Sequence, residues 1–102
     1  MTYGVIVTMS GPIEMYDSLH RELLQRTGGK VDGMLLHVAR QVPDGYEVIE
    51  VWESKDQADR SNREIVWPLA AEVWQGQPMP GEPQIEEFEV RGVVIPEAGI
   101  TV

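Results

Sequence analysis

The chain alternates between short β-branched runs and longer stretches with helical spacing. Tyr3 to Met9 is a run of mostly apolar residues closed by Ser10-Gly11-Pro12, the mark of a buried strand. A helix follows. Ser10 or Gly11 can cap it, Pro12 suits its first turn, and Glu14 lies near the positive end of its dipole. Ile13, Tyr16, His20, Leu23 and Thr27 share one stripe, with Leu19 and Leu24 beside it, until Gly28-Gly29 stops the helix. Gly33 to Val42 reads as a second strand, Pro43-Asp44-Gly45 as a hairpin turn, and Tyr46 to Glu53 as a third strand. Ser54 and Gln57 form a capping box for a second helix, whose stripe runs through Ala58, Asn62, Ile65, Leu69 and Val73. Pro68 predicts a break or kink near Val66–Trp67. A Gly- and Pro-rich loop from Gln75 to Pro83 leads into a last strand, Gln84 to Ile95, and a short apolar tail, Pro96 to Val102.

The order is therefore β-α-β-β-α-β, one ferredoxin-like α+β domain over residues 1–102, a four-stranded antiparallel sheet with two helices on one face. Apolar residues fall on both parities of the first three strands. Val5 and Val7 stand against Ile6, Leu36 and Val38 against Leu35, and Val48 against Ile49 and Val51. Both faces of the sheet then call for burial, and a second copy packed sheet to sheet is the simplest cover.

Composition narrows the function classes. Seventeen acidic residues oppose eight basic ones, a net charge of −9, and no Lys/Arg cluster exists. Binding to nucleic acid needs a positive patch that releases counterions from phosphate, so nucleic acid is not expected as a partner. An anionic membrane surface is disfavoured on the same ground, and no stretch approaches a membrane span. The absence of cysteine removes thiol nucleophiles, disulfides and cysteine metal sites. The N-terminal stretch has no basic leader and too short an apolar run for a signal peptide, which makes a cytoplasmic location the expectation. No phosphate-binding loop, dinucleotide fingerprint or nucleophile elbow is present, which argues against a kinase, a dehydrogenase or a conventional hydrolase.

Tyr46 to Ser54, a strand ending in Trp-Glu-Ser, together with the following helix that carries Trp67 and the βαββαβ order, resembles the dimeric α+β barrel superfamily. Within it, the chain is similar to the small antibiotic-biosynthesis-monooxygenase-like proteins. The resemblance implies a homodimer whose two sheets form a barrel, with a pocket in each subunit between sheet and helices. Some members of that family oxidise aromatic polyketides without metal or cofactor, others cleave haem, and many have no known activity. The haem-cleaving branch has a Trp at this strand end and a His further along the next helix. Trp52 matches the first feature, but Asn62 and Arg63 stand where the histidine would be, so the axial ligand is missing.

Trp52 is either a pocket wall that stacks on a flat ligand or a core aromatic under the second helix. If Asp44-Gly45 is a two-residue loop, His37 faces Trp52 across the hairpin and Ala39 faces Glu50, which gives a His, Trp and Glu corner. A three-residue loop turns His37 to the other face. His20 lies on the stripe of Tyr16 and Leu23 and can line the same pocket. Asn62 interrupts an apolar stripe, Trp67 can sit at the pocket mouth, and Trp74 reads as packing. Nothing pairs His20 with His37 at metal-ligand spacing, so no metal and no cofactor are expected. Glu86, Glu87 and Glu89 read as a solvated strand face, with Glu87 and Glu89 on one side. The leading expectation is a homodimer that binds a small organic ligand and resembles cofactor-independent monooxygenases acting on aromatic or quinol-type compounds. His37 or His20 is the candidate base, and Trp52, Asn62, Trp67 and Tyr16 are the candidate ligand contacts. A non-catalytic binding protein of the same fold is the alternative, and a structural dimer with a collapsed core is a third.

Overall fold

A computed structural model describes residues 2–77 and 81–102. Pro78, Met79 and Pro80, part of the expected loop, lie outside the described residues. Strands β1 (Tyr3–Ser10), β2 (Met34–Val42), β3 (Gly45–Trp52) and β4 (Gln84–Glu89) form one antiparallel sheet in the order β2-β3-β1-β4. Helix α1 (Ile13–Thr27) joins β1 to β2. Helices α2 (Lys55–Ser61) and α3 (Trp67–Val73) lie between β3 and β4. This is the ferredoxin-like α+β arrangement expected from the pattern.

Local chemistry explains most boundaries. Gly28 ends α1 in the left-handed region, at φ 66°, and its N–H closes on the Leu24 carbonyl at 2.9 Å. At the other end neither Ser10 nor Gly11 caps the helix. Pro12 takes that position in extended conformation, without a side-chain cap. Ser54 caps α2 as expected: its Oγ accepts from the Gln57 N–H at 3.2 Å and donates to Gln57 Oε1 at 2.8 Å.

Pro68 does not break the second helical stretch. The strain is taken up earlier, in a π-turn over Asn62–Val66 that joins α2 to α3, with the Trp67 N–H reaching back to the Asn62 carbonyl. Proline has no N–H for the Glu64 carbonyl and its ring crowds that carbonyl. One widened turn makes room, and the chain stays helical from Lys55 to Val73. The extra residue in that turn also rotates everything after Asn62 about the helix axis.

The β2–β3 hairpin differs from expectation by two residues. The loop is Pro43-Asp44, so Val42 faces Gly45 and His37 faces Glu50. Proline presets φ at the first loop position, and Asp44 takes φ 65° at the second, the pattern of a type II turn. Gly45 is needed for a different reason. A Cβ there would collide with the Met9 carbonyl, because β1 and β3 meet closely at that point. A shift of two preserves parity, so His37 remains on the face of Glu50 and Trp52. Directly opposite Trp52 is Met34, and the register slips between Met34 and Leu36, which leaves Leu35 as a bulge.

The last strand is shorter than the alternation suggests. Glu89 pairs with Tyr3, the first residue of β1, so the ladder has no partner beyond it. The expected continuation to Ile95 instead forms a separate hairpin of β5 (Val94–Ile95) and β6 (Ile100–Thr101), locked by mutual backbone bonds between Val93 and Val102.

The helices cover the sheet face that carries Tyr46, His37 and Trp52. Tyr46 and Trp52 are each 2% exposed, and Leu69 of α3 and Ala58 of α2 are buried with them. Trp74 ties α3 to α1 by donating its Nε1–H to the Met15 carbonyl at 3.0 Å.

Candidate functional site

A cavity of about 330 Å³ opens between α1, the edge strand β2 and the π-turn. Its walls are mostly aliphatic: Leu23 and Leu24 of α1, Val31, Met34 and Leu35 leading into β2, and Val66 of the π-turn. The bulge at Leu35 places two consecutive β2 residues against one position of β3, which widens the sheet edge at this point. Its charged and aromatic lining consists of His20, His37 and Glu50. Among the described residues the lining contains no Lys or Arg.

A continuous chain of hydrogen bonds passes through the cavity wall at His37 and Glu50, with Tyr16 and Trp52 outside the lining at its two ends. The Tyr16 hydroxyl lies 2.7 Å from His37 Nε2. His37 Nδ1 lies 2.7 Å from Glu50 Oε2, and Trp52 donates its Nε1–H to Glu50 Oε1 at 3.2 Å. Trp52 can only donate and a carboxylate can only accept, which fixes the direction of the chain. The Tyr16 phenol is pushed up to about 12, by burial first and by the charges of Glu50 and Asp17 after it. It therefore keeps its proton and donates to Nε2, and the His37 tautomer with hydrogen on Nδ1 satisfies all its contacts. Each carboxylate oxygen of Glu50 has its own donor.

Aromatic packing holds the same group. The His20 ring stacks on Tyr16, centroids 5.2 Å apart and planes 16° apart. It also lies 5.5 Å from His37 with planes 5° apart. Helical spacing puts Tyr16 and His20 one turn apart on the same face. Tyr46 closes the stack from below, 5.8 Å from Tyr16. Burial and the adjacent His37 hold the His20 imidazole below its ordinary value, against the opposing pull of Asp17.

Four of the six candidate residues thus come together: Tyr16, His20, His37 and Trp52. Trp52 is not part of the cavity wall. It sits one hydrogen bond behind it, in the core, and anchors Glu50. Asn62 and Trp67 do not line the cavity; Trp67 is 64% exposed. Sequence reading missed the bulge at Leu35 and the wall at Met34 and Val66. The only signal for them was the excess of apolar residues on both parities before His37.

Glu86, Glu87 and Glu89 are exposed, as expected of a solvated strand face, and Glu87 has two partners there. Glu87 accepts from the Tyr3 hydroxyl at 2.9 Å and pairs with Lys55 at 3.0 Å. Lys55 and Tyr3 hold the Glu87 carboxyl below its usual range, and Tyr3 is pushed up to about 12 by burial and by Glu87. Among the described residues no group of three or more His, Cys, Asp or Glu could hold a metal ion. Among the described residues no helix is long and apolar enough to cross a membrane.

No protein-family model and no curated protein matches the chain. Solved structures do. A protein of Chloroflexus aurantiacus provisionally named an antibiotic biosynthesis monooxygenase is 23% identical, with 92% of this chain and 97% of that one covered at a TM-score of 0.67. A Caulobacter crescentus protein with the same provisional name is 18% identical, with 87% and 89% covered at 0.66. A Nitrosomonas europaea protein of unknown function is 13% identical, with 93% and 94% covered at 0.67. Identities this low carry the fold and not the chemistry. The chain has the ferredoxin-like α+β fold of these provisionally named antibiotic biosynthesis monooxygenases.

Proposed function

We propose that the protein is a homodimer whose cavity binds a flat phenol- or quinol-type compound and promotes its oxidation by O₂ without a bound metal or cofactor. The observation that carries this reading is the Tyr16–His37–Glu50–Trp52 hydrogen-bond chain, whose middle members His37 and Glu50 line an otherwise aliphatic cavity. An apolar cavity favours a neutral flat ring system, and an imidazole in its wall can take the acidic hydrogen of a phenol or enol. The resulting anion is electron-rich enough to reduce O₂ by itself. At a methylene between two aryl rings, two C–H bonds are replaced by C=O, and the second oxygen atom leaves as water with both hydrogens. The substrate supplies every electron, and the protein contributes orientation, desolvation and a base.

The test is aerobic oxidation of 1,8-dihydroxyanthrone with a chelator present. Turnover above the uncatalysed rate supports the reading, and its absence removes the enzyme. The rival is a non-catalytic binding protein. It is favoured by the fact that His37 and Glu50 find their hydrogen-bond partners within the protein, with no ligand required. Quenching of Trp fluorescence by the anthrone, with no turnover of any quinol tested, would select it.

The dimer rests on the second sheet face. Ile6, Leu36, Val38 and Ile49 share the side opposite the helices, and Val38 is 45% exposed. A contiguous apolar sheet face is an interface signal. Sedimentation is expected to give a dimer; a stable monomer at micromolar concentration would contradict it.

A further inference from the structure

Two imidazoles line one cavity, yet only one is free to receive a proton. His37 is engaged at both ring nitrogens, by Tyr16 at Nε2 and by Glu50 at Nδ1. For His37 to take a ligand proton on Nε2, the Tyr16 hydroxyl would first have to leave, and the loss of that bond would oppose the transfer. His20 carries no such constraint. It lines the same cavity, and no hydrogen bond reaches its ring nitrogens among the described residues. Its plane is held by the stack on Tyr16 and His37 rather than by polar partners. The surroundings also disfavour a charged resting state, through burial and the neighbouring His37, with Asp17 opposing. It is therefore a neutral base with an open lone pair at pH 7.

Resting on the function proposed above, we infer that His20 is the catalytic base, that His37 is a positioning residue held by Tyr16 and Glu50, and that the cavity selects neutral phenols or enols over carboxylated ones. In the step assigned to His20, the ligand O–H bond breaks. The electron pair stays on the ligand oxygen and the proton moves to the free His20 nitrogen. The imidazolium so formed lies against the face of the Tyr16 ring, which partly offsets the opposition of burial and His37 to the charge. The proton returns to reduced oxygen when O₂ is consumed. Selection against carboxylates follows from the lining: it holds the Glu50 carboxylate and no Lys or Arg to offset a ligand's negative charge.

The experiment uses 1,8-dihydroxyanthrone under argon, where it binds without turning over, and reads the visible band of its anion. His20→Phe keeps an aromatic ring in the stack but removes the nitrogens, and His20→Gln guards against a packing artefact of the larger ring. Both variants are expected to bind the anthrone within a few-fold of the parent, to lose the anion band, and to oxidise it about 10²–10⁴-fold more slowly in air. His37→Gln is expected to weaken binding while the fraction that binds still shows the anion band. A band that survives in the His20 variants and vanishes in His37→Gln would reverse the roles, and a band that survives in all three would remove both imidazoles as the base. A 2-carboxylated anthrone is expected to bind at least about tenfold more weakly, or about 1.4 kcal/mol. Equal affinity would overturn the charge selection. If the parent protein bound no anthrone at all, the function itself would fail and this inference with it. If the parent bound and oxidised it while the His20 variants did the same, only the inference would fail.

Discussion

Trp52→Ala is expected to lower folding stability by about 3–5 kcal/mol, the range for truncating a buried aromatic side chain. Trp52 is 2% exposed at the end of β3, where α2 begins. Removing it empties core volume that a chain of 102 residues has little means to refill. Small domains are stable by only about 5–15 kcal/mol, so this one change consumes a large share. The loss has a second part. Glu50 Oε1 would lose its donor and retain only His37 on the other oxygen. Trp52→Phe separates the two contributions, because it keeps most of the ring and removes the N–H; its cost is expected near 1–3 kcal/mol. Urea unfolding measures both, with the midpoint shifting and the slope unchanged. A loss below about 1 kcal/mol for Trp52→Ala would mean that the residue is not the core anchor described here.

Glu50→Gln is the second large effect, and it acts on proton positions. Trp52 Nε1–H and His37 Nδ1–H each point at one carboxylate oxygen. An amide offers one oxygen and one NH₂, so one of the two donors must then face another donor. If the NH₂ turns to His37, the ring must move its proton to Nε2, where the Tyr16 hydroxyl now donates. If it turns to Trp52, the buried indole N–H is left without an acceptor. Either outcome costs about 1–3 kcal/mol. Nitrogen NMR of the imidazoles distinguishes them: the expected result is a shift of His37 from the Nδ1–H towards the Nε2–H tautomer, together with a lower unfolding midpoint. An unchanged tautomer with stability altered by less than about 0.5 kcal/mol would show that Glu50 does not set the state of His37.

These two side chains also mark how far the sequence could be read. Period-2 alternation placed His37, Glu50 and Trp52 on one face, and parity survives a register error of two. The sequence pointed to Asp44-Gly45 as a two-residue loop, because that pair is a strong hairpin signal, whereas Pro43-Asp44 forms the turn. The deciding contact is remote: Gly45 against the Met9 carbonyl of β1. Depth was not legible either. Alternation assigns a face, but whether Trp52 floors a cavity or lies behind Glu50 depends on the packing of α2. The helical stripe correctly grouped Tyr16 with His20. It misled for Asn62, which shares the inward stripe of the second helix in the pattern but does not line the cavity. The extent of β4 was fixed by where β1 begins, which no local pattern in Gln84–Ile95 records.

A flat phenolic ligand in the cavity beside His20 and His37 is directly measurable, because the chain has only two histidines. Titrating the protein with 1,8-dihydroxyanthrone under argon, while following the imidazole C–H resonances, is predicted to shift both sets with one common saturation curve. Both sets remaining in place at ligand concentrations that quench Trp fluorescence would contradict the account, since the ligand would then be bound somewhere else.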